Sequence, residues 1–159
     1  MGGALEVRSE PGVGSEFSLR LPAARAVATL RAVPSAPIAL RPGLRVLIVD
    51  DEASIRELLD VALALRGAKV LAVTDPGEAR RAALRAEVDV ALVDETLGPD
   101  ESGSALLAEL ALVAPGVGRV LMTGVTETAG LSALASAALV RKPFLLDDVV
   151  RALADADPR

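Results

Sequence analysis

A doubly wound α/β domain is the fold class that this sequence predicts, on three observations. Short apolar runs alternate with helical segments five times between residues 44 and 155. The runs are continuously apolar, as strands that are buried on both faces are. Turn residues such as Gly67 and Asp75-Pro76 separate the two kinds of segment. Regular alternation of this kind predicts a parallel sheet with helices on both faces.

Each strand of the predicted domain precedes a helix. The predicted strands cover 44–50, 69–73, 88–93, 119–122 and 138–141. The predicted helices cover 53–66, 76–86, 103–114, 127–136 and 145–155, with the fourth one weak and a loop over 94–102 before the third. Gly67 ends the first helix, and Asp75 is the N-cap of the second. The apolar stripe of the first helix consists of Ile55, Leu58, Leu59, Ala62 and Leu63.

The N-terminal residues predict a small appendage to this domain. Over 1–22, apolar residues alternate with polar neighbours on both sides of a turn at 9–15, which is typical of a β-hairpin. Two strands alone are marginally stable, so we expect the hairpin to pack against another element. Residues 23–43 are rich in Ala, Pro and Arg and predict a linker, with a weak helical turn over 23–31.

The residue types that are missing exclude several chemistries. The 159-residue chain contains no His, Cys, Asn, Gln, Tyr or Trp. Without His it forms no phosphohistidine, no imidazole zinc site and no Ser-His-Asp triad. Without Cys it has no disulfide and no thiolate chemistry, which fits a reducing compartment.

Charge and hydropathy exclude two kinds of partner. Residues 44–159 carry a net charge of −7, whereas residues 1–43 carry +2. An acidic domain without stacking aromatic residues is a poor candidate for binding nucleic acid. The chain has no run of eighteen apolar residues and no signal peptide. We therefore expect a cytoplasmic location and no membrane contact.

Polar residues suited to a metal and a phosphoryl group follow four of the predicted strands. Asp50-Asp51, Asp94, Thr123 and Lys142 come at the ends of the first, third, fourth and fifth strands. In a flavodoxin-like sheet of order 2-1-3-4-5, the first and third strands are neighbours, and ligands bind at the carboxyl ends of the strands. Three converging carboxylates repel one another unless a cation lies among them, and Mg²⁺ prefers such oxygen ligands. The sequence therefore predicts a magnesium site where an aspartate accepts a phosphoryl group.

These motifs resemble the receiver domain of two-component signalling, the response-regulator fold, over residues 44–155. The matching segments are Val49-Asp50-Asp51-Glu52, Leu92-Val93-Asp94, Leu121-Met122-Thr123-Gly124 and Arg141-Lys142-Pro143-Phe144. The resemblance implies that Asp94 is the phosphoacceptor, with Thr123 as the switch hydroxyl and Lys142 as the lysine of the site. It implies that Mg²⁺ is held by Asp50, Asp51, Asp94 and the backbone carbonyl of Thr96. A cis bond at Lys142-Pro143 fits the same family.

The resemblance also implies partners and activity. The phosphoryl group would come from a histidine kinase or a histidine phosphotransfer protein, and the output would be protein–protein contact. The face formed by the fourth and fifth helices and the fifth strand of the domain is where the family would form a homodimer. We expect no kinase activity from this chain. We expect at most Mg²⁺-dependent self-phosphorylation from small donors and slow self-dephosphorylation.

Three features depart from the family pattern. Leu139 stands where the family usually has an aromatic residue, so the family's aromatic switch has no counterpart at this position. The loop after Asp94 has Gly98-Pro99 in place of the usual Pro-Gly and is about one residue longer. The spacing between Thr123 and Lys142 is short, which predicts a truncated fourth helix.

The N-terminal hairpin resembles the last two strands of a histidine-kinase ATP-binding domain. Gly12 and Gly14 match its last glycine box, followed by a Phe17-Ser-Leu-Arg-Leu-Pro22 strand. The metal-chelating asparagine and the phosphorylatable histidine of a kinase are absent, so this fragment should neither bind ATP usefully nor autophosphorylate. The whole chain thus resembles the C-terminal part of a hybrid histidine kinase, with a kinase remnant at 1–22, a linker at 23–43 and a receiver at 44–159.

Alternative interpretations remain open. Asp50-Asp51-Glu52 can simply cap the first helix, and the 9–15 segment can be an ordinary hairpin turn. A pseudo-receiver would keep the fold as a binding module without phosphotransfer, as Leu139 and the altered loop suggest. A haloacid-dehalogenase-type hydrolase also uses an aspartyl nucleophile, but its Asp-x-Asp motif does not match Asp50-Asp51-Glu52.

Overall fold

The computed structural model of the protein describes residues 3–20, 38–98, 101–124 and 137–159. The chain divides into two compact units, Met1–Ser35 and Ala36–Arg159. The helical turn predicted over 23–31 and the fourth predicted helix over 127–136 lie outside the described residues. In the described part of the chain, no helix combines the length and apolar character that crossing a membrane requires.

The first unit contains the predicted β-hairpin. Strands β1 (Ala4–Glu10) and β2 (Gly14–Arg20) pair antiparallel from Ala4↔Arg20 to Glu10↔Gly14. Gly12 in the turn has a φ of 80°, which favours glycine. Apolar side chains pair across the two strands, Leu5 with Leu19 and Val7 with Phe17, and all four are more than half exposed.

The second unit is built on a five-stranded parallel sheet. Its strands are β3 (Arg45–Val49), β4 (Lys69–Val73), β5 (Val90–Asp94), β6 (Gly118–Thr123) and β7 (Ala138–Arg141). They lie in the order β4-β3-β5-β6-β7, and every neighbouring pair is parallel. This is the predicted order 2-1-3-4-5, so the predicted fold class is confirmed.

Four described helices cover the two faces of this sheet. They are α1 (Ala53–Ala64), α2 (Pro76–Leu84), α3 (Gly103–Val113) and α4 (Leu146–Ala156). Asp75 caps α2 as predicted, because its carboxylate accepts the backbone N–H groups of Gly77 and Glu78. Gly67 has a φ of 85° just beyond α1, as expected of a residue that ends a helix.

The hydrophobic core has two layers because successive side chains of a strand point to opposite faces. Val46 and Ile48 of β3 contribute to one layer, and Leu47 and Val49 contribute to the other. The first layer is completed by buried residues of α1 and α4, including Leu59, Leu63, Val149 and Leu153. The second layer is completed by buried residues of α2 and α3, including Ala79, Ala82, Leu106 and Leu110.

The predicted apolar stripe of α1 was wrong at one position. Leu59, Ala62 and Leu63 are buried against the sheet, whereas Leu58 is 60% exposed. Leu58 lies next to Leu59 on the helix, and the 100° rotation between neighbouring residues turns it away from the core.

The second unit begins before its first strand. Leu40 is buried in the same core layer as Leu44, and Ile38 packs against that layer. Residues 38–43 therefore belong to the compact unit, although the sequence assigned them to the linker of 23–43. The prediction overlooked them because Pro37, Arg41 and Pro42 make the local composition that of a linker.

A cluster of charged side chains lies at the amino end of β5 and joins the start of this unit to its last residues. The carboxylate of Asp89 accepts hydrogen bonds from Arg45 Nη2 at 2.6 Å, Arg159 Nη2 at 2.9 Å and Arg41 Nη2 at 3.0 Å. Arg41 also binds Asp157. The bond from Arg45, reinforced by Arg41, lowers the pKa of buried Asp89 well below its usual value. We call these five residues the arginine cluster.

Candidate phosphoryl-acceptor site

The residues that the sequence singled out meet at the carboxyl edge of the sheet. Asp50 directly follows β3, Asp94 ends β5, Thr123 ends β6 and Lys142 directly follows β7. Because β3, β5, β6 and β7 are successive neighbours in a parallel sheet, their carboxyl ends lie side by side. The sheet topology thus brings together residues that are up to 92 positions apart in the sequence.

Three carboxylates form an acidic group at this edge. One oxygen from each of Asp50, Asp51 and Asp94 lies within 4.8 Å of the others. Asp50 and Asp94 are buried, whereas Asp51 is exposed. A group with this mixture of buried and exposed carboxylates can bind a cation while one side stays open to solvent.

Asp50 is the most enclosed member of the acidic group. Its Oδ1 accepts the backbone N–H of Glu52 at 2.8 Å. Its Oδ2 is buried and makes no hydrogen bond within the described residues, although Lys142 Nζ lies 3.5 Å away. Burial raises the pKa of Asp50 in spite of the opposing effects of the Glu52 N–H and Lys142. A buried oxygen without a hydrogen bond is costly unless a ligand occupies the position beside it.

Helix capping does not account for the acidic run. Glu52 is the N-cap residue of α1, and within the described residues its side chain makes no capping hydrogen bond. The Glu52 carboxylate instead accepts the hydroxyl of Ser54. The alternative in which Asp50-Asp51-Glu52 serves only to cap α1 is therefore not supported.

Lys142 connects two of the carboxylates. Its Nζ lies 2.7 Å from Asp94 Oδ1 and 3.5 Å from Asp50 Oδ2. Partial burial lowers the pKa of Lys142, but the hydrogen bond to Asp94 and the charge of Asp50 outweigh it, so the net pKa is raised. The backbone N–H of Lys142 donates to the Thr123 carbonyl, and the peptide bond to Pro143 is cis, as the resemblance implied.

The remaining predicted residues lie around Asp94. The Thr96 N–H donates to Asp94 Oδ2 at 3.2 Å, so the backbone at Thr96 lies next to the acidic group. Thr123 is buried at the end of β6, the strand beside Asp94. The structure therefore brings every predicted site residue to one edge, and the chemical role of each stays a prediction.

Two residues of this edge were missed by the sequence analysis. Glu95 follows Asp94, and its carboxylate binds the start of α3 through Ser104. Gly103 is buried against Asp94, where a Cβ atom would lie 2.0 Å from the Asp94 carbonyl oxygen. A single sequence does not show that a glycine at the first position of a helix is needed for close packing. Glu95 has the sequence context of an ordinary loop residue.

The donor set fits Mg²⁺. The oxygens of the Asp50, Asp51 and Asp94 carboxylates are ligands of the kind that this hard cation prefers. The buried Asp50 Oδ2 without a hydrogen bond, the half-open acidic group and the absence of Cys and His ligands agree with this choice. Asp50, Asp51 and Asp94 are the side chains that would hold the ion.

Comparisons with known proteins identify this class of domain. The parallel sheet in this order, with an acidic centre at its carboxyl edge, is the receiver fold. A family model described as the response regulator receiver domain matches residues 46–154. The chain belongs to this family and contains a receiver domain of two-component signalling.

Individual relatives agree with this assignment. The chain is 36% identical over 109 residues to the probable transcriptional regulatory protein TcrX of Mycobacterium tuberculosis, covering 66% of this chain and 46% of TcrX. It is 33% identical over 112 residues to the sensor protein EvgS of Escherichia coli, covering 69% of this chain and 9% of EvgS. A receiver domain structure from Clostridium thermocellum superposes with a TM-score of 0.64 at 26% identity, covering 71% of this chain and 93% of that one. The chain spans less than half the length of either curated relative.

Proposed function

We propose that this receiver domain takes a phosphoryl group from a phosphohistidine of a partner protein onto Asp94. The observation that carries the proposal is the position of Lys142, whose ammonium group lies between Asp94 and the buried Asp50. The arrangement combines a nucleophilic carboxylate, a positive charge and an acidic cation site within a few ångströms. Phosphoryl transfer needs little more than positioning and charge stabilisation, so these groups suffice.

The chemical step needs no further catalytic residue. An oxygen of the Asp94 carboxylate forms a bond to phosphorus while the bond from phosphorus to the imidazole nitrogen of the partner breaks. The electron pair of that bond stays on the nitrogen, and the product is an acyl phosphate on Asp94. Bound Mg²⁺ would supply positive charge to the phosphoryl oxygens. Lys142 would add a compact charge, and the Thr123 hydroxyl would donate to a phosphoryl oxygen.

The ionic contact of Lys142 gives the domain a means to respond. In the unphosphorylated protein, Lys142 binds the Asp94 carboxylate directly. A phosphoryl group on that carboxylate would offer Lys142 and Thr123 new oxygen partners, which favours a different arrangement of the ends of β6 and β7. Leu139 lies in β7 and is 41% exposed, so any such change proceeds without an aromatic side chain at that position.

The surface beside the site suits a protein partner. Helix α1 starts two residues after Asp51 and presents Leu58, Val61 and Leu65, each at least 60% exposed. These residues follow a spacing of three and four and so share one face of the helix. We expect a row of exposed apolar groups along a helix that begins at the site to contact another protein. A histidine kinase or a histidine phosphotransfer protein is the partner that we propose.

The rest of the chain supports a finer assignment. The hairpin has glycines with positive φ at Gly12 and Gly14, and its apolar side chains are exposed. We propose that residues 1–22 are the remnant of a histidine-kinase ATP-binding domain, that linker residues follow, and that the parent protein is a hybrid histidine kinase. The cytoplasmic location, the lack of nucleic-acid binding and the homodimer stay predictions.

Intact-mass measurement tests the proposal directly. The chain has no Trp or Tyr for a fluorescence assay, so mass is the appropriate signal. After incubation with acetyl phosphate and Mg²⁺, the wild type should gain the mass of one phosphoryl group. Asp94→Asn and the wild type in EDTA should gain none, whereas Asp155→Asn, an exposed aspartate of α4, should behave as wild type. An unmodified wild type would favour the pseudo-receiver, and a modified Asp94→Asn protein would exclude Asp94 as the acceptor.

A further inference from the structure

Glu95 directly follows Asp94 in the chain, but its side chain is directed away from the acidic group. Its Oε2 accepts the backbone N–H of Ser104 at 3.0 Å, and its Oε1 accepts the Ser104 hydroxyl at 2.9 Å. Ser104 is the second residue of α3, where the helix has backbone N–H groups without partners in its own hydrogen-bond ladder. The negative charge of Glu95 is therefore held at the positive end of α3 and does not join the three carboxylates of the site.

The backbone of Glu95 is fixed on both sides. Its N–H donates to the Met122 carbonyl of β6 at 2.8 Å, and its carbonyl accepts the N–H of Gly103 at 2.9 Å. Gly103 can approach this closely because it lacks a side chain that would collide with the Asp94 carbonyl. The peptide unit after the phosphoacceptor is thus held between β6 and α3.

Thr96 directly follows this attached peptide unit. It pairs with Ser102 in an antiparallel bridge, and its N–H reaches Asp94 Oδ2. Further along the same loop, Arg80 of α2 forms an ion pair with Glu101. Within the described residues, Glu95 is the side chain that ties the start of this loop to α3.

We propose that Glu95 is a positioning residue that holds the Thr96 carbonyl in place for Mg²⁺ by clamping the loop to the start of α3. The proposal rests on the proposed function, since it concerns the metal of the same site. Within the described residues, Glu95 is not one of the three carboxylates of the acidic group. Its contribution is to reduce the freedom of the loop before the ion binds, as groups outside the ligand set commonly do.

Magnesium titrations of the full-length chain, followed in ¹H–¹⁵N correlation spectra, test this role without relying on activity. Glu95→Ala should raise the dissociation constant of Mg²⁺ by about 10-fold, the lower end of the effect of such outer residues. Glu95→Gln keeps one acceptor oxygen for Ser104 and should raise the dissociation constant of Mg²⁺ by about threefold. Glu87→Ala, an exposed glutamate at the opposite end of β5, should leave it unchanged. At saturating Mg²⁺, Glu95→Ala should again accept a phosphoryl group from acetyl phosphate, because Asp94 and Lys142 are intact.

The outcomes separate this role from others. If Glu95→Ala is less stable but binds Mg²⁺ as wild type does, Glu95 only caps α3 and the proposal is overturned. If Glu95→Ala does not fold, Glu95→Gln decides, and an unchanged dissociation constant overturns the proposal. A wild type without Mg²⁺-dependent shifts would overturn the metal-dependent function and this proposal together. If the wild type binds Mg²⁺ and the Glu95 variants bind it equally well, only the role of Glu95 is overturned.

Discussion

The Lys142 ammonium nitrogen lies 2.7 Å from Oδ1 of Asp94, although 47 residues separate the two in the sequence. The same nitrogen lies 3.5 Å from the buried Oδ2 of Asp50. One lysine therefore offsets the charges of two buried carboxylates. A cation that binds at the acidic group would also offset these negative charges. The contribution of Lys142 to the free energy of unfolding should therefore be smaller when a metal ion is bound.

Lys142→Ala is expected to destabilise the metal-free protein. It leaves Asp50 and Asp94 buried without a cation, which should lower the free energy of unfolding by about 2 kcal/mol. The value is below that of fully enclosed pairs because Lys142 is partly exposed. Mg²⁺ should then stabilise the variant more than it stabilises the wild type. Urea denaturation followed by far-UV circular dichroism, in EDTA and in Mg²⁺, measures both effects.

The other lysine of the chain supplies the control for this experiment. Lys69 is exposed in β4, and Lys69→Ala should change stability little under either condition. Equal Mg²⁺ stabilisation of Lys142→Ala and wild type would contradict the link between the lysine and the metal site.

Asp89→Asn is expected to destabilise the protein in a pH-dependent way. Because its arginine partners lower the pKa of Asp89, the stabilisation is fully present above the pKa of an unfolded aspartate, about 3.9. It is lost as the pH falls through the lower pKa of the folded state. At pH 7 the free energy of unfolding of the variant should be about 2 kcal/mol lower than that of the wild type. This difference should shrink below about pH 4.

Denaturation series at several pH values check this prediction. Asp60→Asn alters an exposed aspartate of α1 and should give a small difference at every pH. A deficit of Asp89→Asn that stays constant from pH 7 to pH 3 would show that the arginine cluster contributes through packing and not through charge.

Gly103→Ala is expected to disturb the site from outside it. The added Cβ would lie 2.0 Å from the carbonyl oxygen of Asp94, so the start of α3 or the end of β5 must move. Overpacking of this kind costs about 3 kcal/mol in the free energy of unfolding. Gly116→Ala is the matched control, since within the part of the chain that the structure describes no non-neighbouring atom lies within 4 Å of the added Cβ. Thermal unfolding of both variants should show a large loss only at Gly103, and equal melting temperatures would contradict the close approach seen here.

The sequence was sufficient for the order of the elements and for the sheet edge at which the candidate site residues lie. Continuous apolar runs and helical periodicity are local properties, so the strands β3 to β7 could be placed to within two residues. The convergence of Asp50, Asp94 and Lys142 followed from a general rule, that parallel strands present their carboxyl ends at one edge. Only the topology, and not the detailed packing, was needed for that prediction.

Other features depended on contacts that leave no local pattern. Leu40 lies in a segment with the composition of a linker, yet it enters the core because the sheet offers a place for it. Asp89 was unremarked in the sequence, and its three arginine partners come from residues 41, 45 and 159. Such partners are set by the distances between folded elements, which periodicity and composition do not encode.

By itself, then, the sequence determined the class of fold, the acidic chemistry of one sheet edge and the absence of histidine and cysteine chemistry. The tertiary structure alone decided that Glu95 faces α3 while Asp94 faces Lys142, although the two acids are adjacent in the chain. The physical reason is the alternation of side chains at the end of a strand, which sends neighbouring residues to opposite sides. The partner of each acidic side chain, an ammonium group for Asp94 and a helix start for Glu95, comes from an element that lies there only in the folded domain.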